Sequence, residues 1–142
     1  MIRITTKKLF EKKTLGDDPI LIFCFGNEIV KEDSLAKEIA DEMTLEGYKF
    51  VKMTRPEQLL EAKGHLHLLD VVKGIKQVTL LHIEDLIDKQ VNTLHDFDLH
   101  FFLQLMKKMG TVTEVTIIGL PMNGEKESVK AELKKLLLSR KI

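Results

Sequence analysis

The sequence predicts an α/β fold, a three-layer sandwich in which helices flank a mostly parallel, twisted sheet of about five strands. Two observations predict it. Continuous apolar runs such as "PILIFCF" are typical of strands that are covered on both faces. These runs alternate with amphipathic segments, and strands that alternate with helices form parallel sheets with right-handed crossovers. The 142 residues fit a single domain, 1–142.

The first half of the chain supplies three of the predicted strands. "PILIFCF" is closed by Gly26, and "SLAKEIADEMTLEG" then predicts a helix that stops at Gly47. "YKFVKM" predicts a short strand, and "RPEQLLEAKG" a turn followed by about two helical turns after Pro56. "HLHLLDVV" predicts another buried strand, so the order here is strand, helix, strand, short helix, strand.

The second half supplies the remaining strands and two helices. "VTLLHIEDL" follows after only "KGIK", which is too short for a parallel crossover, so we expect an antiparallel strand at an edge. "HDFDLHFFLQLMKKMG" predicts a long amphipathic helix that ends at Gly110, with an apolar stripe of Leu99, Phe102, Leu103 and Met106. "EVTIIGL" predicts the last buried strand. The segment "EKESVKAELKKLLLSR" predicts a closing helix with four inward residues, Val129, Leu133, Leu136 and Leu137.

Composition excludes several classes of function. The chain has 22 basic and 22 acidic residues and a formal net charge of zero, which favours neither nucleic acid nor a membrane surface as a partner. The single cysteine, Cys24, excludes an intrachain disulfide and a multi-cysteine metal cluster. The start lacks the apolar core of a signal peptide and no apolar run spans a bilayer, so we expect a cytoplasmic soluble protein. Residues 1–18 form an N-terminal extension, either an added edge strand or a mobile segment. The oligomeric state is left open.

Polar side chains follow the predicted strands at the positions where an α/β sheet binds its ligands. Asn27, Glu32 and Asp33 come after the first strand, Asp70 ends "HLHLLD", and His95 stands at the entrance to the long helix. Two carboxylates and an imidazole that meet from separate loops suit a divalent metal such as nickel or zinc. Asp33, Asp70 and His95 are therefore the candidate metal-binding and catalytic residues.

Each candidate also has a structural interpretation. Asp33 could be the N-cap of its helix, where a carboxylate accepts backbone N–H bonds. Asp70 could make a structural hydrogen bond to a neighbouring loop, because an acid that ends an apolar strand is costly unless paired, hydrogen-bonded or metal-bound. His95 could bind a backbone carbonyl at the start of a helix, with Thr93 and Asp96 as a capping pair.

Other chemistries fit less well. Gly26-Asn27 lacks the remaining glycines of a dinucleotide fingerprint and a phosphate-loop lysine. Cys24 lies inside a strand as a small buried residue, and no serine occupies a nucleophile elbow. His65 and His67 share one strand face, a spacing that is usually structural.

Four motifs in order, "FGNEIVKED", "LLDVV", "TLHDFDLHFFLQLMKKMG" and "EVTIIGL", give the chain a family resemblance. From about Pro19 to the C-terminus it resembles the hydrogenase maturation endopeptidases, which trim the C-terminal tail of the large subunit of nickel-iron hydrogenases after nickel insertion. The resemblance implies that Asp33 is the first metal ligand, with Glu32 as the acid before it. The family's strand-end aspartate and its histidine fall on Asp70 and His95.

The resemblance also implies a partner and a reaction. The partner would be the nickel-loaded large-subunit precursor, which carries the nickel that the protease recognises, so the resting protein could be metal-free. The family usually has a glycine soon after the acid pair, where this chain has Ser34-Leu35. One alternative is a non-catalytic hydrogenase-assembly module with the same fold. Another is a flavodoxin-like domain that binds a small phosphorylated ligand at Gly26-Asn27.

Overall fold

One sheet organises the part of the chain that the structure describes. The structure, a computed structural model, describes residues 18–26, 34–53, 55–59, 62–82, 92–93 and 104–139. The strands of the sheet are β1 (Ile20–Cys24), β2 (Tyr48–Lys52), β3 (Gly64–Lys73), β4 (Thr79–His82), β5 (Asn92–Thr93) and β6 (Val112–Pro121). Five of them lie in the order β2-β1-β3-β6-β4, and the two-residue β5 pairs with β3.

The strand directions confirm the predicted α/β sandwich. β1 is parallel to β2 and to β3, and β3 is parallel to β6. β4 pairs with β6 in the antiparallel sense at the edge of the sheet. The connection from Lys73 to Thr79 holds no crossover helix, which is why β4 returns antiparallel, as the short "KGIK" segment predicts. Residues 1–17, most of the N-terminal extension, lie outside the described residues.

In the described part of the chain, three helices flank the sheet: α1 (Leu35–Glu42), α2 (104–109) and α3 (Lys126–Leu138). The prediction that α1 continues to Gly47 is wrong. Met43 is already extended, with φ −106° and ψ 129°, and Leu45 is buried before the turn into β2. Gly47 takes φ +90° within that turn, so its role is to begin a strand rather than to end a helix.

The remaining helical predictions have mixed outcomes. Pro56–Leu59 forms one 3-10 turn in place of the expected two helical turns, and residues 60–61 lie outside the described residues. α2 ends before Gly110, which takes φ +83° as predicted. Met106 is buried, whereas the other three residues of the predicted stripe, Leu99, Phe102 and Leu103, lie outside the described part of the chain.

Apolar side chains fill both faces of the sheet. On one face, Leu66 and Leu68 of β3 share a core with α2 and the 3-10 turn. On the other face, Leu69 and Val71 share a core with α1 and α3. Successive residues of a strand point to opposite faces. Because both faces are covered here, "HLHLLDVV" has apolar residues on both faces of the strand. α3 buries Val129, Leu133 and Leu137, and Leu136 is partly buried. None of the helices found among the described residues has the length and apolar character to cross a membrane.

Gly119 in β6 is packed so closely that a side chain there would displace the core. An added Cβ would lie 3.0 Å from Val72 Cγ2, 3.1 Å from Ile75 Cδ1 and 3.3 Å from Leu81 Cδ1. Gly119→Val is therefore expected to lower the free energy of unfolding by about 1–3 kcal/mol, because an overpacked core must shift. Urea unfolding measures the change, and Thr113→Val at an exposed position of the same strand is the control. Equal stability of both variants would contradict this packing.

Candidate functional site

Asp70 lies near the carboxyl end of the central strand. It follows Leu69, the last β3 residue that pairs with β1, and it is in register with Gly119 of β6. β3 continues to Lys73, so Asp70 lies inside the strand, three residues before its end. Its side chain is fully buried, and its Oδ1 accepts the backbone N–H of Val71 at 2.8 Å. A carboxylate is thus buried near the carboxyl ends of the parallel strands, where α/β proteins bind their ligands.

The chain leaves the sheet beside Asp70 at Phe25 and Gly26, before it reaches Glu32 and Asp33. The N–H of Phe25 donates to the carbonyl of Leu69 at 3.0 Å, which holds the chain against β3 for one residue beyond β1. Gly26 then takes φ +152°, a conformation that residues with a side chain rarely adopt. Residues 27–33 lie outside the described residues, and so do the predicted site residues Asn27, Glu32 and Asp33.

The chain returns at Ser34, which occupies the N-cap position of α1, since the helix begins at Leu35. The structural interpretation that gave this position to Asp33 is wrong. Ser34 is 5% exposed and takes φ −95° and ψ −8°, a conformation open to any residue. Its hydroxyl donates to Glu38 Oε2 at 2.5 Å rather than capping a backbone N–H. The signal for this pair in the sequence is its spacing alone, since residues four apart on a helix lie on one face.

The segment before His95 runs along the end of β3. β5 pairs antiparallel with β3, with Thr93 opposite Val72 and Asn92 opposite Lys73. His95 follows two residues later and lies outside the described residues, as does Asp96, the proposed capping partner of Thr93. Of the three predicted ligands the structure therefore describes Asp70. Within the described ranges, no three histidine, cysteine or acidic side chains are placed to hold a metal ion.

Cys24 has the environment of a buried structural thiol. It is fully buried in β1 and donates to the carbonyl of Ile22 at 3.6 Å. Burial, above all, raises the pKa of Cys24 to about 12, and the charge of nearby Asp70 acts in the same direction. A neutral thiol is a poor nucleophile, so the prediction that Cys24 is a small core residue is confirmed.

His65 and His67 share one strand face, as predicted, and they stack with ring centroids 4.1 Å apart. His65 Nε2 lies 2.7 Å from Thr116 Oγ1, and its Nδ1 lies 3.7 Å from Glu114 Oε1. His67 is buried, and its Nε2 has no hydrogen-bond partner among the described residues. Desolvation first, and the neighbouring His65 second, lower the pKa of His67 to about 4. The two rings thus stack on each other, and the His67 ring stays neutral near pH 7, in keeping with the structural interpretation.

Comparison with known proteins supports the fold. No protein-family model matches the chain, and a search of curated proteins found no match. A crystal structure of the hydrogenase 3 maturation protease is similar with a TM-score of 0.62 and 14% identity, over 83% of this chain and 88% of that chain. A solution structure of an endopeptidase from Escherichia coli is similar with a TM-score of 0.58 and 15% identity, over 84% and 91%. The chain therefore has the fold that the motif resemblance predicts.

Proposed function

We propose that this chain is a hydrogenase maturation endopeptidase, which removes the C-terminal tail of a nickel-iron hydrogenase large-subunit precursor after nickel insertion. The observation that carries the proposal is the buried carboxylate of Asp70, three residues before the carboxyl end of the central strand. The fold it occupies is shared with a hydrogenase 3 maturation protease and with an endopeptidase. Asp70 is also the residue that matches the strand-end aspartate of the family in the motif resemblance.

Asp70 would supply one fixed anionic ligand. The Val71 N–H holds Oδ1 at 2.8 Å, so this oxygen keeps its direction without a substrate. Burial makes the charge of a carboxylate costly, and a cation presented by the substrate would help to offset that cost. Asp33 and His95, from the loops that leave β1 and β5, would complete the set of ligands. Nickel held by the precursor would supply Lewis acidity at the scissile amide.

Water is the nucleophile that the described residues favour. The thiol of Cys24 is buried and neutral, and the hydroxyl of Ser34 donates to Glu38. Neither side chain is placed to attack an amide carbon, whereas hydrolysis assisted by a metal requires no protein nucleophile. The nickel would arrive with the precursor, and we expect processing to take place in the cytoplasm.

The test is incubation of the purified chain with nickel-loaded and nickel-free large-subunit precursor from the same source, analysed by intact mass. We expect a C-terminal peptide to be lost from the nickel-loaded precursor and the nickel-free precursor to stay whole. Precursor that binds but stays uncut would favour the assembly module. If precursor is neither bound nor cut, the proposed function fails and the fold alone remains.

A further inference from the structure

The face of β3 that carries Asp70 is lined by apolar residues. Successive residues of a strand point to opposite faces, so Asp70 shares its face with Leu68 and Val72. Both of these neighbours are fully buried in the core that β3 shares with α2. On the β1 side, Phe25 continues the chain beyond the last pair with β3 and is buried in the same core. The Asp70 carboxylate therefore has apolar neighbours along its own strand and on the β1 side.

On the β6 side, the residue in register with Asp70 is Gly119, which brings no side chain to this face. Apolar side chains from outside β6 fill the place instead. A Cβ at Gly119 would meet Ile75 Cδ1 at 3.1 Å and Leu81 Cδ1 at 3.3 Å. Adjacent strands of a sheet lie about 4.8 Å apart, so these side chains occupy the row next to Asp70. Gly119 thus allows side chains from the connection and from β4 to pack beside the carboxylate.

Ile75 is the outermost of the side chains over Gly119. Val72 and Leu81 are buried, whereas Ile75 is half-buried and lies in the connection between β3 and β4. Gly74 directly before it takes φ +90°, a conformation that glycine adopts freely, and the chain turns back over the sheet there. Ile75 therefore separates the solvent on this side from the row beside Asp70.

We propose that Ile75, packed over Gly119, covers the Asp70 carboxylate against water and is a positioning residue for the proposed hydrolysis. The apolar shell around a metal site controls its solvent access and its local dielectric. A charge pair is stronger and less screened by salt where water is excluded. A substrate cation is therefore attracted more strongly to Asp70 while this cover is in place. The inference rests on the proposed function, because it takes Asp70 as a ligand of the substrate's metal.

Hydrogen exchange at the Val71 N–H tests the cover in the free protein. This N–H donates to Asp70 Oδ1 at 2.8 Å, so its exchange reports water that reaches the carboxylate. In Ile75→Ala protein we expect it to exchange at least about 10-fold faster relative to the Leu68 N–H of the same strand. Ile75→Leu keeps the side-chain volume and should keep the wild-type ratio. Ile20→Ala is the matched control, because it truncates a half-buried isoleucine that packs in the other core.

Cutting of nickel-loaded precursor tests the consequence for the reaction. We expect Ile75→Ala protein to cut about 10-fold more slowly than the wild type at low salt. Its rate should also fall more steeply than the wild-type rate between about 0.05 M and about 0.5 M salt, because water at Asp70 admits screening. Ile75→Leu and Ile20→Ala proteins should follow the wild-type salt dependence.

Three results would overturn the proposal. They are an unchanged exchange ratio in Ile75→Ala protein, equal effects of Ile75→Ala and Ile20→Ala, or a wild-type rate and salt dependence of cutting in Ile75→Ala protein. Urea unfolding of each variant shows whether slower cutting follows a general loss of stability, which would also count against the cover. If wild-type protein leaves the precursor uncut, the proposed function fails. The exchange ratio is measured without precursor, so it still decides whether Ile75 covers Asp70.

Discussion

Asp70→Asn protein is expected to fold like the wild type and to cut nickel-loaded precursor at least about 100-fold more slowly. Groups that only orient metal ligands cost about 10- to 100-fold when removed, and the loss of a ligand's charge should cost at least as much. Asparagine has nearly the same shape as aspartate, and its Oδ1 can still accept the Val71 N–H that Asp70 accepts at 2.8 Å. The substitution therefore removes the charge and leaves the local backbone contact in place.

The free energy of unfolding should change by no more than about 1 kcal/mol in this variant. Desolvation of a buried carboxylate is unfavourable, so loss of the charge removes this unfavourable term as well as a favourable interaction. Asp41→Asn is a suitable control, because Asp41 is an exposed acid that pairs with Lys52 at 2.9 Å on the surface. This control should process precursor at the wild-type rate.

Intact mass of precursor sampled over time gives the rate, and urea unfolding gives the stability. If Asp70→Asn protein cuts as fast as the wild type, Asp70 has no role in hydrolysis. The buried carboxylate would then have the structural role that the sequence left open. A large loss of stability together with the loss of cutting would also assign Asp70 to the fold rather than to the substrate.

The fold was predictable because its signals are local. Apolar runs that are buried on both faces, and the short connection before β4, depend on neighbouring residues and can be identified in sequence. The end of α1 was not predictable, since helical spacing continues as far as Met43 although the helix stops at Glu42. Leu45 is buried in the core beside α1, so tertiary packing decided where that helix ends.

The candidate site also has a part that the sequence predicts and a part that it does not. Asp70 could be predicted because an acid at the end of a buried strand is a local anomaly. The hydrogen bond from the Phe25 N–H to the Leu69 carbonyl joins residues that are distant in the chain, and no periodicity indicates it. Likewise, the side chains that close over Gly119 come from β3, from β4 and from the connection between them. Such contacts follow from the strand order of the sheet, which a single sequence does not specify.

His67 is expected to make the fold sensitive to acid. Its ordinary pKa of 6.5 falls to about 4 in the folded protein, mainly through desolvation and also through neighbouring His65. The unfolded chain therefore binds a proton as the pH falls through 6.5, whereas the folded chain does not until about pH 4. Stability is full above pH 6.5 and is lost progressively towards pH 4. At ~1.4 kcal/mol per pH unit, the free energy of unfolding falls by about 2–3 kcal/mol in total.

Replacing His67 with leucine should remove this part of the pH dependence. Urea unfolding from pH 7.5 to pH 4 measures it, and the variant should lose about 2–3 kcal/mol less than the wild type over that range. Carboxylates that titrate in the same range contribute equally to both proteins and cancel in the difference. Thr113→Val, at an exposed position of β6, is the control and should follow the wild-type curve. Parallel curves for wild-type and His67→Leu protein would mean that His67 takes up its proton in the folded state near its ordinary pKa. Burial of His67 and its stacking on His65 would then fail to keep the His67 ring neutral.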